Sequence, residues 1–161
     1  MNIEQLEKQL DRTSEWIKAT DQKVSIFLTL QGLILTFLSP SLYKLIINSY
    51  FYHDICSFIF ILLCVILLIL GTTISVIVVI PKLKNDNKKS FLYFRDIVSI
   101  KIEDYKKHVK EWTSEKYEEA ILEQIYVLSG IVNKKQEQFI EAVSLFTLGI
   151  ILLLLYFILV F

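Results

Sequence analysis

ICSFIFILLCVILLILGTTISVIVVI, residues 55–80, contains no Asp, Glu, Lys or Arg. At about 1.5 Å per residue, a helix of this length more than crosses a hydrocarbon core about 30 Å thick and leaves room for tilt. Outward from it, Ala142–Phe161 is a second uncharged run of membrane-spanning length. Val24–Leu38 is a third, shorter one, which the reading ends at Ser39-Pro40, since proline breaks a helix ladder. With 54% hydrophobic residues and a mean hydropathy of +0.53 over 161 residues, the chain falls in the membrane class.

Between the last two runs lies the one long polar stretch, Pro81–Glu141. The formal net charge of zero hides how its charges are placed. Of 17 basic residues, four precede Val24 (Lys8, Arg12, Lys18, Lys23), Lys44 stands alone, and twelve lie from Lys82 to Lys135. Lys/Arg-rich short segments remain in the cytoplasm. The N-terminus and 81–141 are therefore expected inside, 40–54 and the C-terminus outside. The fold expected is an all-α membrane protein with three transmembrane helices and long cytoplasmic helical extensions. Its divisions are a cytoplasmic amphipathic helix 1–23, spans 24–39, 55–80 and 142–161, an outer connection 40–54, and a cytoplasmic helical module 81–141.

Met1–Lys23 is polar and mixed in charge, so the start of the chain does not read as a cleaved signal peptide. Ile3, Leu6, Leu10, Thr13, Ile17, Thr20 and Val24 recur at steps of three and four, a narrow seam on one helix face that runs without Pro or Gly into the first span. Leu42–Phe51, apolar but carrying Lys44 and aromatics, suits an anchor at the outer interface. Gly71, Thr72, Thr73 and Ser75 form a small, weakly polar patch that suits either close helix packing or a water-lined path. Cys56 and Cys64 read as small apolar residues facing lipid or a neighbouring helix.

Asn85–Ser90 is a turn-rich connector, followed by the aromatic cluster 91–97. Glu103–Trp112 reads as a short helix. Ser114, with acids behind it, opens a helix that meets no proline before Phe161. Its seam, Ile121, Ile125, Leu128, Val132, Lys135 and Phe139, places a lysine where an apolar side chain belongs. If Val24 stands level with Phe139, then Thr20 and Asp21 stand level with Lys135, which offers an Asp21–Lys135 pairing. That pairing reads as an ion pair or a snorkelling lysine, or as a cation beside an anion pocket. Tyr117, Tyr126 and Trp112 are left over for a neighbouring copy.

Catalysis is not expected. There is no Gly-rich phosphate loop and no Cys/His set at metal spacing, and the acids of 103–123 read as a solvated face. Nothing in the balanced charge calls for a nucleic-acid partner. Three spans are too few to enclose an aqueous path, so a homo-oligomer within the lipid bilayer is expected. A constitutive small channel or lysis protein, or a membrane-anchored helical adaptor, also fits these features.

Trp16-Ile17-Lys18-Ala19-Thr20-Asp21-Gln22-Lys23-Val24-Ser25, running into a span, resembles the W-I-x-x-A-D-x-K-A-S opening of the Pycsar effector transmembrane family. Phe91-Leu92-Tyr93-Phe94-Arg95-Asp96-Ile97 resembles its S-L-x-F-x-D-I segment after the second span. Glu123-Gln124-Ile125, followed by Lys134-Lys135 and a last span, is similar to its E-Q-I…K-Y element. Thr20 stands where the family tends to have Ala, Arg95 where a small residue is frequent, and Gln136 where an aromatic is common.

The resemblance implies an antiviral effector of the bacterial inner membrane, multi-pass, with a cytoplasmic N-terminus and no enzymatic activity of its own. It would be paired with a nucleotide cyclase, bind that enzyme's cyclic CMP or cyclic UMP in the cytoplasm, and impair the membrane in abortive infection. No cofactor beyond this cyclic pyrimidine mononucleotide ligand is implied, and no metal. Within these segments the side chains suited to such a ligand are Asp21, Lys23, Tyr93, Phe94, Arg95, Asp96, Gln124 and Lys135. Aromatics such as Tyr93 or Phe94 suit the base and Arg95 or Lys135 the phosphate, although Phe91 and Phe94 equally suit core packing.

Overall fold

The computed structural model describes residues 2–51, 55–80 and 94–160. These residues form five helices and no strand: α1 Ile3–Phe51, α2 Ile55–Val79, α3 Phe94–Ser99, α4 Ile102–Lys110 and α5 Ser114–Val160. Three of them, α1, α2 and α5, are long and apolar enough to cross a membrane. The fold is therefore all-α, with three membrane-spanning-length helices, as the uncharged runs require.

The chain divides into two compact units, one from Met1–Thr20 and Lys82–Lys134, the other from Asp21–Pro81 and Lys135–Phe161. In the first, Leu6, Ile121 and Ile125 are buried together, with Ile3, Leu10 and Tyr117 packed around them. These are the seam positions of α1 and α5, so the stripe that sequence spacing draws on each helix is the stripe that each buries against the other. Thr113 caps α5, accepting the Lys116 N–H on its side chain at 3.4 Å and the Tyr117 N–H on its carbonyl at 3.1 Å. The cap is thus Thr113, the residue before Ser114, where α5 begins.

Tyr117 donates its hydroxyl to Glu7 Oε1 at 2.8 Å and lies 5.5 Å from the Trp112 ring. Trp112 and Tyr117 are therefore engaged within the protomer, whereas Tyr126 is 83% exposed. The hydrogen bond to Glu7, then burial, then the charge of that carboxylate raise the Tyr117 pKa above its ordinary value. A raised folded-state pKa means that this link stabilises fully below the ordinary tyrosine pKa of about 10 and fades as pH climbs through the folded value. Tyr117→Phe is expected to lower the melting temperature by a constant amount from about pH 6 to pH 9, a deficit that closes at higher pH. Thermal melts of both proteins across that range check it.

In the second unit, α1 and α5 run parallel and α2 antiparallel to them. Asp21 meets Lys135, and Phe27 sets its ring edge-on to Phe139 and Phe146, each 5.8 Å away. Along α2 the order reverses: Gly71 packs on Phe146 and Ala142, and Leu68 on Gly149. The buried residues of α2 are Ile61, Cys64, Leu68, Gly71, Ser75 and Val78, at steps of three and four. Those of α5 continue the same rhythm through Ala142, Phe146, Gly149, Leu153 and Tyr156. A sustained repeat of this kind is the signature of side-by-side, left-handed helix packing.

One expectation changes here. The first apolar helix does not stop at Ser39-Pro40; α1 carries Pro40 inside it and continues to Phe51. Pro40 has no N–H to give to the carbonyl four residues back, that of Thr36, and the Ser39 hydroxyl donates to that same carbonyl at 3.0 Å. Re-satisfying the freed carbonyl is what lets a proline sit within an apolar helix. Leu42 and Leu45, beyond it, are buried with Ile61, Cys64, Leu153 and Tyr156, so this stretch packs on α2 and α5 as well as carrying exposed Tyr43 and Lys44. The weakly polar patch serves close packing through Gly71, and its hydroxyls bond back to their own helix: Thr72 to Leu68, Thr73 to Ile69 and Ser75 to Gly71. Ser75 is fully buried within the protomer and Thr73 is exposed, so the three do not share one face.

Candidate functional site

No Pro or Gly interrupts α1 before Gly32, so the helix presents Trp16–Ser25 in strict register. Thr20 and Val24 occupy the buried seam, and Asp21 flanks it. On α5 the seam residue at this depth is Lys135. Its ammonium donates to Asp21 Oδ1 at 2.5 Å, and its side chain is 11% exposed against 38% for Asp21. One turn further in, both helices turn apolar at Val24, Phe27 and Phe139. The lysine is therefore a mostly buried cation at the edge of an apolar layer, held by a carboxylate that water still reaches. An ammonium keeps such a place only with an anionic partner.

Of the eight candidate residues, Asp21 and Lys135 are in contact. Lys23 is exposed on α1, two residues beyond Asp21. In the other unit, Phe94, Arg95 and Asp96 open the six-residue α3. Gln124 is half-buried on α5, adjoining the seam residue Ile125. Tyr93 lies outside the described residues, as do Phe91 and Leu92.

The Pycsar effector protein domain matches residues 5–161. The chain belongs to the Pycsar effector family. No curated protein and no solved structure matches it. Membership accounts for nearly the whole length at once: Trp16–Ser25, the α3 segment and Glu123–Ile125 all fall within the match, in the order in which the three spanning-length helices require them. A Pycsar effector with three such helices is a membrane effector, and its family ties it to cyclic-nucleotide signalling and a cyclase partner.

One residue escaped the sequence reading. Gln31 on α1 is fully buried, and neither its amide nitrogen nor its amide oxygen has a hydrogen-bond partner among the described residues. The signal was present: Leu10, Ile17 and Val24 are spaced by seven, and the next step of seven is Gln31. It went unread because Val24–Leu38 registers as apolar by average.

Proposed function

We propose that this Pycsar effector binds cyclic CMP or cyclic UMP on its cytoplasmic side and, on binding, makes the bacterial inner membrane leaky, arresting the infected cell. The observation that carries this reading is the Asp21–Lys135 pair, a mostly buried cation at an apolar seam position whose carboxylate partner is 38% exposed. A cyclic mononucleotide carries one phosphate charge, which suits one ammonium. Lys135 holds that phosphate in place of Asp21, and Arg95 is the second cation tested for the same role. The protein itself performs no chemistry on the nucleotide. The Lys/Arg bias supports a cytoplasmic N-terminus.

Ligand shifts the equilibrium between two arrangements of α1 and α5 by its differential affinity for them. The active form is a homo-oligomer, since one copy supplies three spans and keeps Ser75 turned inward. Apolar side chains exposed outside the long apolar runs, Trp16 at 53% and Tyr126 at 83%, are available to neighbouring copies.

Membrane vesicles of both orientations, prepared from cells producing the protein, test ligand and topology together. Inside-out vesicles are expected to bind one or both cyclic pyrimidine nucleotides saturably, and right-side-out vesicles to bind neither. Binding only to right-side-out vesicles reverses the topology. Binding to neither overturns the function.

A further inference from the structure

Four polar side chains are buried among the described residues: Thr13, Thr20, Gln31 and Ser75. Three are satisfied by their own helix, each hydroxyl donating to the carbonyl four residues back at 2.9 to 3.0 Å. Gln31 is the exception, with no partner for its nitrogen or its oxygen among these residues. The reason is chemical. A hydroxyl on a short stem reaches its own helix, whereas a primary amide on a longer stem, with two N–H donors and a carbonyl acceptor, needs partners of both kinds set some distance from the backbone.

Its depth sharpens the point. Gln31 lies ten residues past Asp21 and eleven before Leu42, about 15 Å along the helix from each. On one side is the Asp21–Lys135 pair, on the other the apolar cluster of Leu42, Ile61 and Leu153. One turn before it, Phe27 stacks edge-on to Phe146, against which Gly71 packs so tightly that a Cβ there would lie 2.8 Å from the Phe146 nitrogen. The bundle is thus tightly packed one turn from the position where a buried amide goes unpaired. Burying an unpaired amide is unfavourable, and any arrangement that admits water to it is relieved of that penalty.

We propose that Gln31 lines the aqueous path of the open effector: the closed bundle buries the amide unpaired, and opening hydrates it. This rests on the reading that the effector makes the membrane leak. An uncharged amide offers both donors and an acceptor to a hydrated ion, so the path takes small ions of either sign. The role also makes Gln31 a bias within the closed state, since its penalty narrows the gap that ligand binding must close.

The full-length protein in liposomes, with cyclic CMP or cyclic UMP added, tests this through two substitutions. Gln31→Leu, close in volume and without the amide, is expected to melt about 3 °C or more above wild type. It should bind nucleotide as wild type does and leak ions at least tenfold more slowly. Gln31→Cys, in a background of Cys56→Ser and Cys64→Ala, is expected to resist a membrane-impermeant thiol reagent without nucleotide and to react at least tenfold faster with it. Gln31→Leu that leaks at the wild-type rate or melts no higher overturns the proposal, as does a Gln31→Cys thiol that stays unreactive while ions flow. Wild-type liposomes tight to ions with both nucleotides overturn the preceding functional reading, and that failure shows in the wild type before any variant is compared.

Discussion

Gly71→Ala is expected to destabilise the helical bundle by about 2–3 kcal/mol, more than a single methyl group does at most positions. The added carbon would lie 2.8 Å from the Phe146 nitrogen, 2.9 Å from its Cβ and 3.0 Å from the Ala142 oxygen. Two of these atoms are backbone, so no rotamer change relieves the contact and α2 must move away from α5. At Gly149 the nearest atoms belong to the Leu68 and Leu67 side chains at 3.1 to 3.3 Å, which can yield. At Gly32 and Gly130 nothing lies within 4 Å, and alanine there should stabilise by about 0.5–1 kcal/mol through helix propensity. Thermal melts of the purified variants in one detergent separate the cases. Equal melting temperatures for Gly71→Ala and Gly32→Ala would show that α2 and α5 do not meet as closely as the bundle requires.

Lys135→Ala is expected to weaken nucleotide binding ten- to hundredfold, the equivalent of a charge-assisted hydrogen bond of about 1.5–3 kcal/mol. Asp21→Asn provides the discriminating partner variant. If Asp21 merely holds Lys135 until phosphate arrives, removing its charge leaves affinity unchanged or improves it, and the two variants diverge. If the pair is purely structural, Asp21→Asn loses more stability than Lys135→Ala, because it leaves the mostly buried ammonium unpaired, and neither alters affinity once folded. Arg95→Ala, titrated beside them, tests the other cation. Unchanged affinity in both Lys135→Ala and Arg95→Ala removes both from the site.

Much of the architecture is legible in the sequence because a single physical rule produces it. Apolar residues at alternating steps of three and four mark the side of a helix that meets another helix. Leu6, Thr13, Thr20 and Val24 on α1 and Ile121, Ile125 and Val132 on α5 are buried where that spacing puts them. The same rule sets Thr20 and Asp21 level with Lys135, and Asp21 is the residue that pairs with it.

The misreadings arise where a side chain alters the rule locally. Pro40 reads as a terminator by backbone chemistry alone, and the Ser39 hydroxyl that satisfies the Thr36 carbonyl is visible only in three dimensions. Gln31 is hidden by averaging, since one amide scarcely lowers the hydropathy of Val24–Leu38. The aromatic segment around Tyr93 and Phe94 carries motif resemblance but no periodicity, so spacing does not say which side chain meets a ligand. The family match covers that segment without assigning its residues a role.

The most direct test of a ligand-gated membrane effector is the potential across liposomes containing only this protein, followed with a voltage-sensitive dye as cyclic CMP or cyclic UMP is added on the side of the Lys/Arg-rich segments. The expected result is a stable potential without nucleotide and a saturable, dose-dependent collapse with one of the two. A potential that decays equally fast without nucleotide, or that persists while nucleotide is bound, would contradict it.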